Sequence, residues 1–478
     1  MKKSGRLFKF YDMGKLLFYF TAGLFFLFSA CTKTTSYQPQ FQEKWGEVEK
    51  FIHSNWHTSR VDSAGFSVLR KKGIVPPKPF MSIAKGDPAL FYWDNYFTNK
   101  GLLKIDSLKQ YALNVVDNLL WEVDTLGFVP NANMNWGINR SQVPYLAHMV
   151  ADVYEKFPDR EWLLKAYHTL KKEYHFWTDT CQTAIEDHST SIAGLQRFYH
   201  HGSEKEMADF YTLCYRRRLL AEHPDSVDYL TRLEVGGHYM AEAEVMDFTP
   251  RFENRCTDFI AVDLNSNLYH YEKLFSWMVQ ELGLTGEPDW NSLAETRKKL
   301  INRYCWNEER GLFMDYDFRN NRFSKVAGIS CMYPLFVGIA SAEQAEKTLK
   351  NLSLFEYEFG VTVCEKTDQP VLYQWDYPAG WPPVFLLTVQ SLHNYGFKTE
   401  ALRICGKYLD LVARNFVDPQ PRFKGGDTTK IRSKGYIYEK YDVVTGGIND
   451  WEYPAWEFIG WSAGVYIWCL SYYQTNTI

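Results

Sequence analysis

The chain of 478 residues carries 57 acidic against 53 basic side chains, a formal charge of −4, and no run of lysine and arginine longer than three. Phosphate backbones need such clusters, so nucleic acid is excluded as a partner. Aromatic residues make up 17% of the chain, with 16 Trp and 32 Tyr, which fits a sugar-binding cleft and equally a large aromatic core. The nine cysteines include no C-x-x-C pair, which argues against a zinc site; most read as small buried apolar residues.

In chain order, Lys2, Lys3, Arg6, Lys9 and Lys15 with the apolar run 16–28 read as a targeting segment over residues 1–30. Ser29-Ala30-Cys31 resembles the lipobox of bacterial lipoproteins. Cys31 is therefore the expected lipidation site, and the cell envelope, facing the periplasm, the expected location. An ordinary cleaved signal or a short membrane anchor is the other reading. Residues 31–42 read as a polar tether and 43–478 as one domain, since no Ser/Gly linker or fixed-period repeat divides them. Apolar residues three to four apart predict amphipathic helices at 162–177 and 264–282. Further helices are expected at 104–120, 144–156, 204–220, 289–304, 341–352, 383–395, 398–416 and 460–473. Alternating strand patterns are few, 312–317 being one. Segments 91–97, 129–142, 374–383 and 446–461 read as loops rich in Gly, Pro, Asn and Trp, the kind of segment that carries chemistry on a rigid scaffold.

The segment Gln374-Trp375-Asp376-Tyr377-Pro378-Ala379-Gly380-Trp381-Pro382-Pro383 matches the pattern Q-W-D-x-P-x-(G/A/V)-W-(P/A/S)-P of the trehalase family, glycoside hydrolase family 37. Other blocks follow in family order. Tyr92-Trp93-Asp94-Asn95-Tyr96-Phe97 resembles YWDxYF, Asn139-Arg140-Ser141-Gln142-Val143-Pro144 resembles NRSQPP, and Asp247-Phe248-Thr249-Pro250-Arg251-Phe252 resembles DFSSRW. Val262-Asp263-Leu264-Asn265 is similar to the VDLN block, and Glu439-Lys440-Tyr441-Asp442-Val443, Glu452-Tyr453 and Gly460-Trp461 to the closing EKYDV, EY and GW run. The resemblance implies an all-α (α/α)6 toroid with long loops over the active-site face. It also implies inverting hydrolysis of α,α-trehalose to two glucoses.

Inversion needs a carboxylic acid beside the bridging oxygen and a carboxylate across the ring to deprotonate water, with roughly 6.5–9.5 Å between them. The resemblance assigns Asp247 the acid role and Glu452 the base role, with Glu457 in the same loop as a competing partner. Trp93, Asp94, Asn131, Arg140, Gln142, Arg251, Trp375, Asp376, Trp381 and Trp461 are the implied sugar-binding residues. Asn and Gln donate and accept together, as sugar hydroxyls require; the same amides also serve to fix loops. No cofactor and no metal are expected. The expected partner is a small carbohydrate, and the membrane is met only through the lipid at Cys31.

The chain departs from the family where sugar is gripped. Lys85-Gly86-Asp87-Pro88-Ala89-Leu90 stands where the family carries G-R-F-x-E, and Glu222-His223-Pro224-Asp225-Ser226 lacks the arginine expected before P-E-S. Lys85, His223 or 216–218 could take over. A site built to bond particular hydroxyls discriminates strongly, so a different α-linked disaccharide or glycoside stays open as the substrate. A non-catalytic carbohydrate-binding lipoprotein is the reading from another functional class.

Overall fold

The computed structural model describes residues 37–180, 194–214, 227–368, 373–423, 432–458 and 460–477. Cys31, His223 and 216–218 lie outside the described residues. Twelve helices alternate between an inner and an outer ring. They are α1 Trp45–Asn55, α2 Tyr92–Leu102, α3 Lys109–Leu126, α4 Leu146–Lys156, α5 Arg160–His175, α6 Val262–Leu282, α7 Trp290–Tyr304, α8 Tyr333–Phe336, α9 Ala342–Lys350, α10 Pro382–Asn394, α11 Lys398–Val417 and α12 Gly460–Asn476. The inner helices α2, α4, α6, α8, α10 and α12 each pack on the next, and α12 returns to α2. This closed double ring is the (α/α)6 toroid.

The outer helices follow the expected chemistry. α3 buries Ala112, Val115, Val116, Leu119 and Val123 along one stripe and stops at Gly127, whose φ of 87° is a left-handed turn. Asp289 caps α7 by accepting from Ser292 N, and Ser341 with Gln344 closes a capping box on α9. The inner helix α2 differs from expectation. Segment 91–97 reads as a loop, yet Tyr92 to Asn99 are buried without a break, so the helix presents no amphipathic period. The ring closes where α2 meets α12 at two glycines. A Cβ on Gly101 would lie 2.5 Å from Gly464 Cα, and one on Gly464 2.4 Å from Phe97 O.

Buried carboxylates anchor the ring. Glu173 on α5 accepts from the hydroxyls of Tyr92 (2.5 Å) and Tyr271 (2.8 Å). Those hydroxyls in turn accept from the first N–H groups around α4: Tyr145 N and Leu146 N on Tyr92, Ala147 N on Tyr271. Asp410 on α11 accepts from Tyr37 Oη, Gln40 N, Phe41 N and Trp45 Nε1. From Tyr37 onward, therefore, the expected tether 31–42 is bound to the ring instead of running free.

Two insertions cover the end of the ring where the inner helices begin. Helices Glu204–Cys214 and Tyr229–Glu242 pack on each other between α5 and α6; the second was not expected from the sequence. The strand order in the small sheet is Ala379–Gly380, Tyr441–Asp442, Gly447–Asp450, Pro421–Phe423, with Gly380 opposite Tyr441 and Tyr441 opposite Ile448. The seven described cysteines beyond residue 31 are all buried. Among the described residues no helix is long and apolar enough to cross a membrane.

Candidate active site

The motif residues gather where the inner helices start. Trp93 and Asp94 lie in the first turn of α2, Arg140 and Gln142 just before α4, Trp375 to Trp381 before α10, and Trp461 in the first turn of α12. Gln142 is a clamp as well as a candidate ligand: its Oε1 accepts from Tyr92 N (3.1 Å) and Trp93 N (3.0 Å), capping α2 from outside. Its amide also faces the Asp94 carboxyl. Asn131 spends its Nδ2 on Ala243 O (2.8 Å) and so fixes one loop to another.

Glu244, which the sequence reading did not single out, joins the Arg140 loop to the Asp247 loop. Its carboxylate accepts from Ser141 N (2.8 Å) and Tyr199 N (2.9 Å), and its backbone O from Val143 N. The next residues turn sharply, with Phe248 at φ 62°, a conformation rare outside glycine. Phe248 O then accepts from Trp375 N at 3.0 Å, tying Asp247 to the tryptophan motif. Met246 and Phe248, on either side of Asp247 in the chain, are both buried, in two different core clusters. The two arginines nearby in sequence are committed elsewhere. Arg255 pairs with Asp258 and Asp317, and Arg251 with Asp263 (2.8 Å) and Asp315 (3.1 Å).

Arg251 therefore departs from its expected place among the sugar ligands. It is wholly buried with its guanidinium between two carboxylates, which hold it charged despite burial, so it supports the floor of the site from below. Arg140 keeps a ligand-like position. It is buried between the rings of Trp136 and Phe210, donates through Nη1 to Asn139 Oδ1 and Trp136 O, and leaves Nε without a protein partner. Burial lowers its pKa and the carboxylates of Asp247 and Glu244 oppose that.

Four tryptophans form one wall. Trp375 stacks on Trp381 at 4.0 Å between ring centres, Trp461 stands edge-on to both, and Trp93 leans on Trp375 at 5.4 Å. Their burial matches a core reading, yet Nε1 of Trp381 and Trp461 have no acceptor among the described residues. Buried polar groups are rarely left so. The same holds for Asp94 Oδ2, Arg140 Nε, Trp451 Nε1 and both carboxylate oxygens of Glu452. Orphaned donors and acceptors converging beside apolar ring faces are what a polyhydroxyl ligand, or water in its place, satisfies.

The carboxyls share one electrostatic neighbourhood. Asp94 is pushed up to about 8 by burial, with Asp247 and then Glu439 adding to it and Gln142 opposing. Asp376 rises to about 7 through burial, although its Oδ1 accepts from Tyr377 N. Glu439, which lay in a quoted motif without a role, is buried and accepts from Tyr453 Oη at 3.1 Å and Trp456 N at 3.3 Å. Burial pushes it up as well, Lys440 opposes, and Glu452 adds to the rise. Glu452 faces Glu439, Lys440 and Tyr453. Glu457 lies beside Tyr438, apart from this group. Lys85 is exposed and so stays outside the ring of buried polar groups.

A family model described as Trehalase matches residues 87–474. The cytosolic neutral trehalase of Kluyveromyces lactis is 29% identical over 397 residues, covering 75% of this chain and 50% of that protein. A periplasmic trehalase of Xanthomonas campestris is 26% identical over 489 residues, covering 92% of this chain and 80% of that protein. Among solved structures, the neutral trehalase Nth1 of Saccharomyces cerevisiae superposes with a TM-score of 0.65 at 25% identity, covering 82% of this chain and 73% of that one. The chain spans about half the length of the fungal relatives it matches.

Proposed function

The chain belongs to the trehalase family, and from that premise we propose that it hydrolyses α,α-trehalose to two glucoses with inversion. The observation that carries the reading is the convergence on Asp94: this buried carboxyl at the start of α2 feels both Asp247 and Glu439, which come from loops far apart in sequence. In the proposed reaction Asp247 gives its proton to the bridging oxygen. Water attacks the anomeric carbon from the opposite face, and a carboxylate on that side takes the water's proton.

For that base we favour Glu439 over Glu452, the residue the motif order suggested. Two hydrogen bonds hold the carboxylate of Glu439 in place, and burial raises its basicity toward neutral pH. Asp94 also ties it to the neighbourhood of Asp247. Glu452, with both oxygens orphaned, is better suited to bonding sugar hydroxyls. Purified protein should release glucose from trehalose, with equal amounts of the α and β anomers as first products by NMR, the β from the attacked unit and the α from the leaving one. Glu439→Gln should abolish turnover, and azide should restore it as β-glucosyl azide. Azide rescue confined to Glu452→Gln would return the base role to Glu452.

A second reading, another α-linked disaccharide, draws support from one observation. Where the family carries G-R-F-x-E with its clamping arginine, this chain has Lys85-Gly86-Asp87-Pro88-Ala89, and the one cation of that stretch, Lys85, faces solvent. Inertness toward trehalose together with turnover of a different α-disaccharide would select it; no turnover of any glycan would leave a carbohydrate-binding protein. We further propose a lipid anchor at Cys31 and a periplasm-facing position, supported by Ser29-Ala30-Cys31 and by the periplasmic relative. Cys31→Ser should move the protein from the membrane to the soluble fraction.

A further inference from the structure

The proposed mechanism leaves one buried cation without a task. The Lys440 side chain is 1% exposed, yet among the described residues it makes no hydrogen bond and no ion pair. Its ammonium instead lies 3.3 Å from the ring centre of Tyr453 and 4.9 Å from that of Trp381. Trp381 is backed by Trp375, and Tyr453 donates its hydroxyl to Glu439, so the same ring that carries the cation orients the carboxylate. Ring faces attract a cation, and more strongly where water is excluded.

The charged groups around Lys440 can be assigned in turn. Asp450, from strand Gly447–Asp450, is already paired with Arg432. Glu439 precedes Lys440 in the chain, and Glu452 comes from the loop after the strand; both face the ammonium. Glu439 adds to the field at Asp94 on α2, and Asp247 faces Tyr453. Lys440 thus stands as the cation serving the Glu439 and Glu452 pair.

We infer that Lys440 is a positioning residue for the hydrolysis: held on aromatic faces, it keeps Glu439 anionic without occupying the carboxylate oxygen that must take the proton from water. A direct ion pair would supply the same charge but would fill a lone pair that the base needs. The inference rests on the reading of Glu439 as the base.

The test is the pH profile of kcat/KM on trehalose for the wild-type chain, Lys440→Met, Lys440→Gln and Lys440→Arg, with Glu439→Gln as reference. Loss of the cation raises the pKa of the base. The acidic limb of the neutral variants should therefore move up by about one pH unit, a roughly tenfold loss at pH values below the limb. The basic limb should stay in place, and Lys440→Arg should keep the wild-type limb. An unmoved acidic limb in Lys440→Met, with Glu439→Gln inactive, overturns this inference alone. Turnover by Glu439→Gln overturns the base reading and this inference with it. If both neutral variants fail to fold while Lys440→Arg behaves as wild type, the lysine serves stability and the inference is wrong.

Discussion

Replacing Gly464 by alanine places a methyl carbon against the backbone of α2, 2.4 Å from Phe97 O and 2.8 Å from Thr98 Cα and Thr98 O. None of these atoms can rotate away. The two helices would have to part by about 1 Å to restore ordinary contact distances, in an interior with little slack. Overpacking of this kind costs about 1–3 kcal/mol, and more where backbone is struck, so about 3 kcal/mol is expected for Gly464→Ala. Gly46, in the exposed first turns of α1, meets nothing within 4 Å. Gly46→Ala should therefore stabilise by roughly 0.5–1 kcal/mol through helix propensity alone. The same chemical change thus carries opposite signs at two positions, with a spread of roughly 4 kcal/mol. Urea unfolding, or thermal unfolding at a matched scan rate, reads both. Turnover should fall in Gly464→Ala alone, because α2 carries Asp94 and α12 carries Trp461. Shifts of the same sign, or a Gly464→Ala variant within about 0.5 kcal/mol of wild type, would refute the closure of the ring at these glycines.

Asp410→Ala removes the acceptor of four donors from Tyr37 to Trp45 and should cost about 2–4 kcal/mol; hydrogen exchange should rise over residues 37–45 with kcat unchanged, and unaltered exchange there would count against the staple. Arg251→Met strands the buried Asp263 and Asp315 carboxylates and should cost about 3–5 kcal/mol; a Tm equal to wild type would show that the cluster is not load-carrying. Asp94 is raised from 3.8 to about 8 by burial, then by Asp247, so the folded chain keeps a proton that the unfolded chain loses. Its contribution to stability is complete below pH 3.8 and is lost as pH rises through 8. Asp94→Asn should remove that loss, on the order of 4 kcal/mol between pH 5 and pH 9, so the Tm drop over that range should be smaller than in wild type; equal drops would contradict it.

Five of the six outer helices were legible because they are amphipathic; α1, Trp45–Asn55, was not expected. The 398–416 expectation and the observed Lys398–Val417 differ by one residue, and Asp289 and Ser341 mark starts by capping chemistry. The inner ring was less so. α2 is buried on every side, which erases the 3.6-residue period that sequence reading relies on. Helix Tyr229–Glu242 hid for another reason: its buried residues crowd into the last seven positions, 236–242, where two glycines sit against Met207 and His200. At the site, motif order identified which segments meet but not what each side chain does. Gln142 and Asn131 look like sugar ligands and act at least in part as clamps, because one amide serves either purpose. The choice between Glu439 and Glu452 depends on strand pairing, since Tyr441 opposite Ile448 folds the segment back so that Tyr453 can grip Glu439. Residue type and spacing carry no trace of that.

The charge balance of the site links its departures from the family to its proposed chemistry. Asp94, Glu439 and Asp376 are buried and shifted upward, with Asp247 and Glu452 beside them. Arg140 and Lys440 are among the described cations that face this group, and Arg251 is neutralised from below. A neutral sugar brings no countercharge. Like charges confined in a poorly solvated site cannot all ionise together, so some of these carboxyls keep their protons at neutral pH. Inversion needs such a division, one carboxyl protonated as acid and another ionised as base. In the proposed mechanism Asp247 is the protonated partner, while Lys440 keeps Glu439 ionised at the opposite side of the sugar. Substituting an arginine at Lys85 would test this balance only if the new guanidinium turned inward. Arg140→Lys is the more direct probe, because it keeps the charge and removes the planar fork. It should leave the basic limb of the kcat/KM profile in place while raising KM, and a basic limb that moved with KM unchanged would place Arg140 in the acid's electrostatics and outside sugar binding.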